Sequence, residues 1–396
     1  MCLIYLNNNE RIHVAIQLFV PTFDVEECLQ EIRECLEKGW TGMGYKTVEF
    51  EQAWKEYTGH SNALFLNSAT AGLHLAVEIL REENGWNSDD EIITTPLTFV
   101  STNHAIIQGG MKAIFADVNE SLCLDPHDVI SKITPKTKAV MFVGIGGNAG
   151  TLIEIAQICK ENNLCLILDA AHMAGTQLNG ETAGLSFADV TVYSFQAVKN
   201  LPTSDSGMLC FKDKCLDEIA RKKSWLGINK DTYARTSSEK GAYKWEYNVE
   251  YTGYKYNGNT IAAAIGLVQL RRLEADNDYR RHIASLYEAQ LEDLQAYIEV
   301  VKMADGCISS RHLFQVTTNQ RDALMMHLKS KDIYLGVHYT DNTRYHMYSY
   351  AAGTCPRAAR YSDELISLPI HLRLSDSEVS FVCQSIREFF NGEVAP

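Results

Sequence analysis

Leu164-Cys165-Leu166-Ile167-Leu168-Asp169-Ala170-Ala171-His172-Met173-Ala174 is the most telling stretch of the chain. An apolar run of strand length ends on an acid, and a histidine follows three residues later. A run that is apolar on both faces belongs in a sheet covered by helices on both sides. Its carboxylate then emerges at the C-terminal end of a strand, where open α/β sheets bind their ligands. An aspartate that merely caps the next segment gives the same local pattern, so the motif takes its meaning from its neighbours.

On either side of it, further β-rich runs lie at 63–66, 91–95, 112–116, 138–143, 189–195 and 208–211. Helical patterns fall between them. Residues 70–80 carry Leu73, Ala76, Val77 and Leu80, and residues 152–161 carry Ile153, Ile155, Ala156 and Ile158. Alternation of strand and helix predicts an α/β fold with a mainly parallel, roughly seven-stranded sheet between helices. The pattern changes after residue 258. Residues 260–296 read as one long helix, with Ile265, Leu267, Leu270 and Leu273 on its apolar face, and mixed strand and helix follow. This predicts a large domain over 1–257, including an N-terminal segment 1–40, and a smaller α+β domain over 258–396.

Composition narrows the function classes. Of 396 residues, 46% are apolar and 22% charged, which excludes a collagenous or disordered chain. Thirty-six basic against fifty acidic residues leave a net charge of −14, which argues against a nucleic-acid binder. No apolar run is long enough to span a bilayer, and the N-terminus lacks the basic-then-apolar order of a signal peptide. Eleven cysteines form no C-x-x-C pair, and several sit in apolar runs. They read as reduced core thiols of a cytoplasmic protein, and no metal site is expected.

Two more segments carry chemistry. In Asn67-Ser68-Ala69-Thr70-Ala71-Gly72 a strand gives way to small and hydroxylated residues and then to a helix. Free N–H groups at such a helix start make an anion cradle, although a plain Ser N-cap looks the same. In Tyr193–Asp205, YSFQAVKNLPTSD, Lys199 follows Ala197 and Val198 just past a strand. A desolvated lysine favours its neutral amine, the nucleophile of Schiff-base chemistry. A rival stands beside this reading. Gly144-Ile145-Gly146-Gly147-Asn148-Ala149 fits G-x-G-x-x-G/A between a strand and a helix, and Asp169 ends the next strand. That is the layout of an NAD-dependent oxidoreductase, but it leaves Ser68–Gly72 and Lys199 unexplained.

Taken in order, GWTGMG (39–44), NSATAGLH (67–74), TPLTFVSTNHAI (95–106), LDAAHMAG (168–175), YSFQAVKN (193–200), GYKYN (253–257), AAAIGLVQL (262–270) and SLPIH (367–371) span nearly the whole chain. Together they resemble the DegT/DnrJ/EryC1/StrS family of pyridoxal-phosphate sugar aminotransferases, which have the aspartate-aminotransferase fold, type I. NSATAGLH, TPLTFVSTN, GYKYN and GVHY (336–339) are most similar to the branch that aminates nucleotide-linked 4-keto sugars, such as the lipid A 4-amino-arabinose transaminase.

The resemblance implies pyridoxal 5′-phosphate as cofactor and assigns roles. Lys199 would bind the cofactor aldehyde and shuttle protons, Asp169 would pair with the ring nitrogen, and His172 would sit beside the ring hydroxyl. Phe99 would stack on the ring. Ser68, Ala69, Thr70 and Ser194 would hold the phosphate, and Gln196 stands where many relatives carry His. Asn257 would reach the phosphate from a neighbouring subunit, which implies a homodimer with composite sites. Lys255 is a candidate for the nucleotide diphosphate, and His338 and Tyr339 for the sugar. The implied reaction is ping-pong transfer from an amino acid, L-glutamate, to a nucleotide-linked keto sugar. One departure concerns substrate. Many members carry V-H-x-x-G where this chain has Val143-Gly144-Ile145-Gly146-Gly147. A related dehydratase subgroup has His in place of Lys199. A non-catalytic regulatory homologue is the remaining rival, and intact Lys199, Asp169 and Ser194 speak against it.

Overall fold

Apolar runs that cannot satisfy their backbone groups alone pair into one sheet in the computed structural model of the chain, which describes residues 15–229 and 247–392. The strands are β1 (Leu64–Leu66), β2 (Glu91–Thr94), β3 (Lys112–Phe115), β4 (Thr137–Val143) and β5 (Cys165–Asp169), then, after a small hairpin of β6 (Gln177–Leu178) and β7 (Glu181–Thr182), β8 (Val190–Ser194) and β9 (Gly207–Phe211). The seven-stranded order is β1-β9-β8-β5-β4-β2-β3. Only β9 runs antiparallel to its neighbours. Asp169 is the last residue of β5 and stands in register with Val143, the last residue of β4, and with Val192, two residues before the end of β8.

The helices α1 (Val25–Glu37), α2 (Tyr45–Thr58), α3 (Ala69–Glu83), α4 (Val100–Gln108), α5 (Pro126–Lys132), α6 (Leu152–Glu161), α7 (Lys214–Ser224) and α8 (Thr260–Gln290) precede or link the strands. The pattern expected over 70–80 begins one residue earlier, because Ser68 caps α3 by accepting the Ala71 N–H at 3.1 Å. The long helix ends at Gln290 rather than 296, and a short 3-10 turn, Glu292–Leu294, follows it. It runs through two hydrophobic cores. Ala262, Ala263 and Leu273 belong to the core around the large sheet, and Ile283, Ala284 and Tyr287 to a second one. That second core is built on β10 (Glu299–Val300), β12 (Phe314–Thr317) and β13 (Leu365–Leu368), an antiparallel sheet, while β11 (Cys307–Ile308) joins β6. Tyr348, Ala351, Ala358 and Leu365, from the C-terminal part of the chain, nevertheless pack into the first core.

The end of β8 is held by aromatic packing. Phe195 meets Trp54 edge-on at 5.0 Å and Phe50 at 5.5 Å, all three buried. This fixes where the chain leaves the sheet just before Lys199. Gly207 acts by leaving space instead. A Cβ there would lie 2.6 Å from the Ala69 nitrogen and 2.7 Å from the Tyr193 oxygen. Only glycine lets β9 pass this close to the start of α3.

Ten cysteines lie in the described residues and all are free thiols. Cys215 departs from the expected core placement and is exposed, because it sits in the first turn of α7 on the solvent side. Cys165 and Cys307 are half-buried, and Cys2 lies outside the described residues. Among the described residues no helix is long and apolar enough to cross a membrane.

Candidate active site

A cleft of about 440 Å³ opens over the C-terminal ends of β5 and β8. Ser68, Ala69 and Thr70 line one end, Asp169 and His172 the floor, and Ser194, Gln196 and Lys199 the side. Phe99, His338 and Tyr339 complete it. The structure therefore brings together eleven of the thirteen residues singled out from sequence, and leaves two outside. Lys255 points away, with Nζ over the Trp225 ring, 3.0 Å from its centroid, because that indole face is the nearest site for its charge. Asn257 bridges to Leu66 through its backbone, and its side-chain Nδ2 donates to the Gly258 carbonyl at 2.9 Å. The Oδ1 of Asn257 is buried with no hydrogen-bond partner among the described residues.

At the cradle end, Ser68 Oγ serves as the helix cap. The Ala69 and Thr70 N–H groups make no hydrogen bond among the described residues and face the cleft at the positive end of a 15-residue helix. At the other end Asp169 is buried. Its Oδ2 accepts from Thr102 Oγ1 at 2.7 Å and its Oδ1 from the Ala171 N–H at 3.1 Å. Thr102 spends its proton on Asp169, so the Thr98 hydroxyl 3.0 Å away donates to Thr102. Burial pushes the Asp169 carboxyl above the usual range, and Thr102, Ala171 and the Lys199 charge pull it back. The TPLTFVSTN segment is pinned from the far side. Asn103 Nδ2 donates to Asn342 Oδ1 at 2.9 Å, and Asn342 Nδ2 to the Thr98 carbonyl at 2.9 Å.

The tautomer of His172 follows from its partners. The Gly146 N–H donates to Nδ1 at 3.1 Å, so Nδ1 is bare and Nε2 carries the proton, which points to the Tyr339 oxygen 3.1 Å away. Burial above all, with the Lys199 charge adding to it, holds His172 well below its ordinary range, hence neutral. The glycines of 144–147 thus serve His172 and close packing. A Cβ on Gly144 would meet Met173 Sδ at 1.9 Å, so the methionine fills the space a side chain would need there. Gln196 turns back on its own loop, where its Oε1 accepts the Val198 N–H at 3.0 Å.

Lys199 is half-buried on the wall of the cleft. Burial lowers its pKa to about 8, with Asp169 opposing the drop. Its Nζ lies 3.4 Å from His312 Nε2. His312 is a residue that the strand-and-turn patterns do not reveal, as are Thr102 and Phe19, whose ring stacks on His312 at 5.5 Å and 8°. His312 lies just before β12 in a distant part of the chain, so no local spacing marks it. Thr102 lies inside a quoted motif, and its distance from Asp169 in sequence hides the contact.

Comparison with known proteins points to one family. The DegT/DnrJ/EryC1/StrS aminotransferase family profile matches residues 23–387. The chain is 31% identical over 379 residues to the dTDP-4-dehydro-2,3,6-trideoxy-D-glucose 4-aminotransferase of Saccharopolyspora spinosa, covering 94% of this chain and 96% of that protein. The crystal structure of the aminotransferase TlmJ from Streptoalloteichus hindustanus superposes with a TM-score of 0.87 at 32% identity, over 96% of this chain and 100% of that one. Spr1654 from Streptococcus pneumoniae in its PLP form gives 0.84 at 25% identity, over 96% of this chain and 100% of that one.

The lysine environment has a measurable cost. The folded pKa of about 8 lies below that of an unfolded lysine, so the unfolded chain binds more protons between about pH 8 and 10. Lys199 therefore destabilises the cofactor-free protein below that window and ceases to do so as pH rises through it. Lys199→Met is expected to stabilise the cofactor-free protein at pH 7, by up to about 3 kcal/mol, with the gain shrinking toward pH 10. Thermal unfolding at both pH values checks it. A variant less stable at pH 7, or a pH-independent difference, contradicts the buried-amine reading.

Proposed function

The chain belongs to the DegT/DnrJ/EryC1/StrS aminotransferase family, and we propose that it is a pyridoxal-phosphate enzyme that moves an amino group from L-glutamate to a keto sugar carried on a nucleotide. The observation that carries this reading is the half-buried Lys199 amine, its pKa lowered by desolvation, set between a buried carboxylate, Asp169, and two free N–H groups at the start of α3. That donor set fits the cofactor: an anion cradle for a phosphate, an acid for a ring nitrogen, and an amine for an aldehyde. Gly207 supports the fit, since a Cβ there would crowd the Ala69 nitrogen that the cradle needs. The 4-keto position is the site of amination we favour, on the likeness to the Saccharopolyspora spinosa 4-aminotransferase.

When bound, pyridoxal phosphate supplies an electron sink for the carbon that loses its proton and a carrier for the amino group. In this reading the Ala69 and Thr70 N–H groups and the Ser194 hydroxyl bind the phosphate. Asp169, its charge supported by Thr102 and Ala171, keeps a proton on the ring nitrogen. His172 stays neutral and presents its Nε2–H toward the cleft beside Tyr339. Lys199 Nζ would take the proton from the donor's Cα and hand one to the carrier within the same half-reaction, and would move a proton the opposite way, to the sugar carbon, in the second half; a pKa near 8 leaves a useful share of neutral amine at physiological pH. Phe99 covers the ring face, Gln196 shapes the loop that carries Lys199, and His338 and Tyr339 border the sugar. The two subunits of a homodimer complete each other's sites, each receiving Asn257 of the partner subunit. The half-satisfied amide of Asn257 supports that assignment, and Lys255 has no part in the cleft of its own chain.

Borohydride treatment of the purified holoprotein is expected to fix one cofactor per chain on Lys199, read by peptide mapping. Attachment to another lysine, or none, overturns the reading. The composite site is tested separately by mixing Lys199→Ala and Asn257→Asp homodimers, each impaired, the second by repulsion of the phosphate. One of the two equivalent sites in a mixed dimer is then intact, so the mixed dimer is expected to have about half of wild-type activity, and an equal mixture at full exchange, where about half of the dimers are mixed, about a quarter. Exchange without recovery shows that Asn257 serves its own chain.

A further inference from the structure

His312 makes the only side-chain hydrogen bond to the Lys199 amine among the described residues, and its protonation is determined by a chain of amides behind it. The chain starts at Asn277, whose Nδ2 donates to the Ala174 carbonyl at 2.9 Å. The Oδ1 of Asn277 therefore faces Asn200, and Asn200 Nδ2 donates to it at 2.7 Å and to the Ser310 carbonyl at 2.7 Å. With its N–H groups so engaged, Asn200 can offer His312 only its oxygen, which lies 2.9 Å from Nδ1. The proton of His312 must sit on Nδ1, and Nε2 must be bare. Asn200, Asn277, Ser310 and His312 are all buried, so water cannot substitute for a partner.

The ring is also clamped sideways. Phe19 stacks on one side at 5.5 Å, and His172 lies 4.3 Å away, centroid to centroid. Burial and the nearby Lys199 charge keep His312 well below its ordinary range, so it stays an acceptor toward Nζ. We propose that His312, locked as the Nδ1–H tautomer by Asn200 and Asn277, is the positioning residue that aims the Lys199 amine. Its bare Nε2 takes one N–H of Lys199 in both the amine and the ammonium form. No proton leaves Lys199 for His312: the amine gains the donor's Cα proton and returns a proton to the carrier, and the histidine holds its direction throughout. The proposal rests on Lys199 being the proton-moving group of the reaction.

Other groups also face Lys199. Asp169, at the end of β5, favours the ammonium. Asp276 and Arg280, from α8, line the small cavity behind it with His371, and His172, Asp205, His338 and Tyr339 share the cleft. The test must therefore separate His312 from this background. An asparagine at 312 can still meet Asn200 but falls short of Nζ; a glutamine can place its carbonyl oxygen where Nε2 was.

Two readouts are compared for His312→Asn and His312→Gln. The first is the pH midpoint of acylation of Lys199 in cofactor-free protein, followed by mass spectrometry. The second is the pre-steady-state rate of amino transfer from glutamate to the holoprotein across pH. Loss of a neutral acceptor removes support from the ammonium, so the midpoint is expected to fall in the Asn variant and to stay near wild type in the Gln variant. The transfer rate is expected to drop about tenfold to a hundredfold in Asn, with its acidic limb moved to lower pH, and to remain within about fivefold of wild type in Gln. An unmoved midpoint in the Asn variant, or equal losses in both variants with an unmoved acidic limb, overturns the proposal. The acylation readout needs no cofactor, so a shifted midpoint alongside a holoprotein that carries its cofactor elsewhere would fault the assigned function and not the His312 contact.

Discussion

A partly desolvated amine governs how the cleft is built. Among the described residues Lys199 has no carboxylate in direct contact; Asp169 acts on it through space, and its hydrogen-bond partner is a neutral imidazole. Burying such a group is unfavourable, because a cation loses its hydration and gains little in return. The surroundings are organised to tolerate this. His172, His312 and His338 are all kept neutral by the same burial, so the cleft does not gather further positive charge around the lysine. The result is an amine poised between its two forms, which a shuttle of protons requires.

The parts that hold this amine come from far apart. Phe195, wedged against Trp54 and Phe50, sets the exit of β8. The α8 helix supplies Asn277 midway between the two cores it joins, and the segment leading into β12 supplies His312 beside the second sheet. The Thr98–Thr102–Asp169 relay depends on Asn342, which lies beyond both in sequence. A cleft assembled from so many elements is rigid only when both cores are packed, so core stability and site geometry are linked.

The features that can be read from the sequence are the local ones. The α/β alternation, Asp169 at a strand end, the hydroxylated turn at Ser68 and the apolar approach to Lys199 each lie within a few consecutive residues, where the periods of strand and helix operate. The resemblance carried by eight ordered segments adds roles to them. What the sequence hides is non-local. His312 sits in a strand-like pattern that any core histidine would satisfy, and its tautomer is set by Asn200 and Asn277, the second from another helix. Gly144 and Met173 likewise exchange volume across a gap in sequence, so the glycine run looks like a dinucleotide turn when its packing is not in view. Lys255 and Cys215 show the converse. Residue type and neighbourhood suggest roles for them that a particular indole face and a helix's solvent side deny.

In the proposed reaction Asp169 and Lys199 would divide the work of proton transfer, the acid sustaining the electron sink while the amine moves the proton. The sharpest test is exchange of the α-hydrogen of glutamate with deuterated solvent, followed by NMR without a sugar acceptor, in Asp169→Asn holoprotein. The variant is expected to carry its cofactor on Lys199 still, yet to exchange the hydrogen at least about a hundredfold more slowly than wild type, since an amide supports a proton on the ring nitrogen far less than a carboxylate. Exchange at a near wild-type rate would show that Asp169 only caps its strand, and would contradict the division of labour between the two residues.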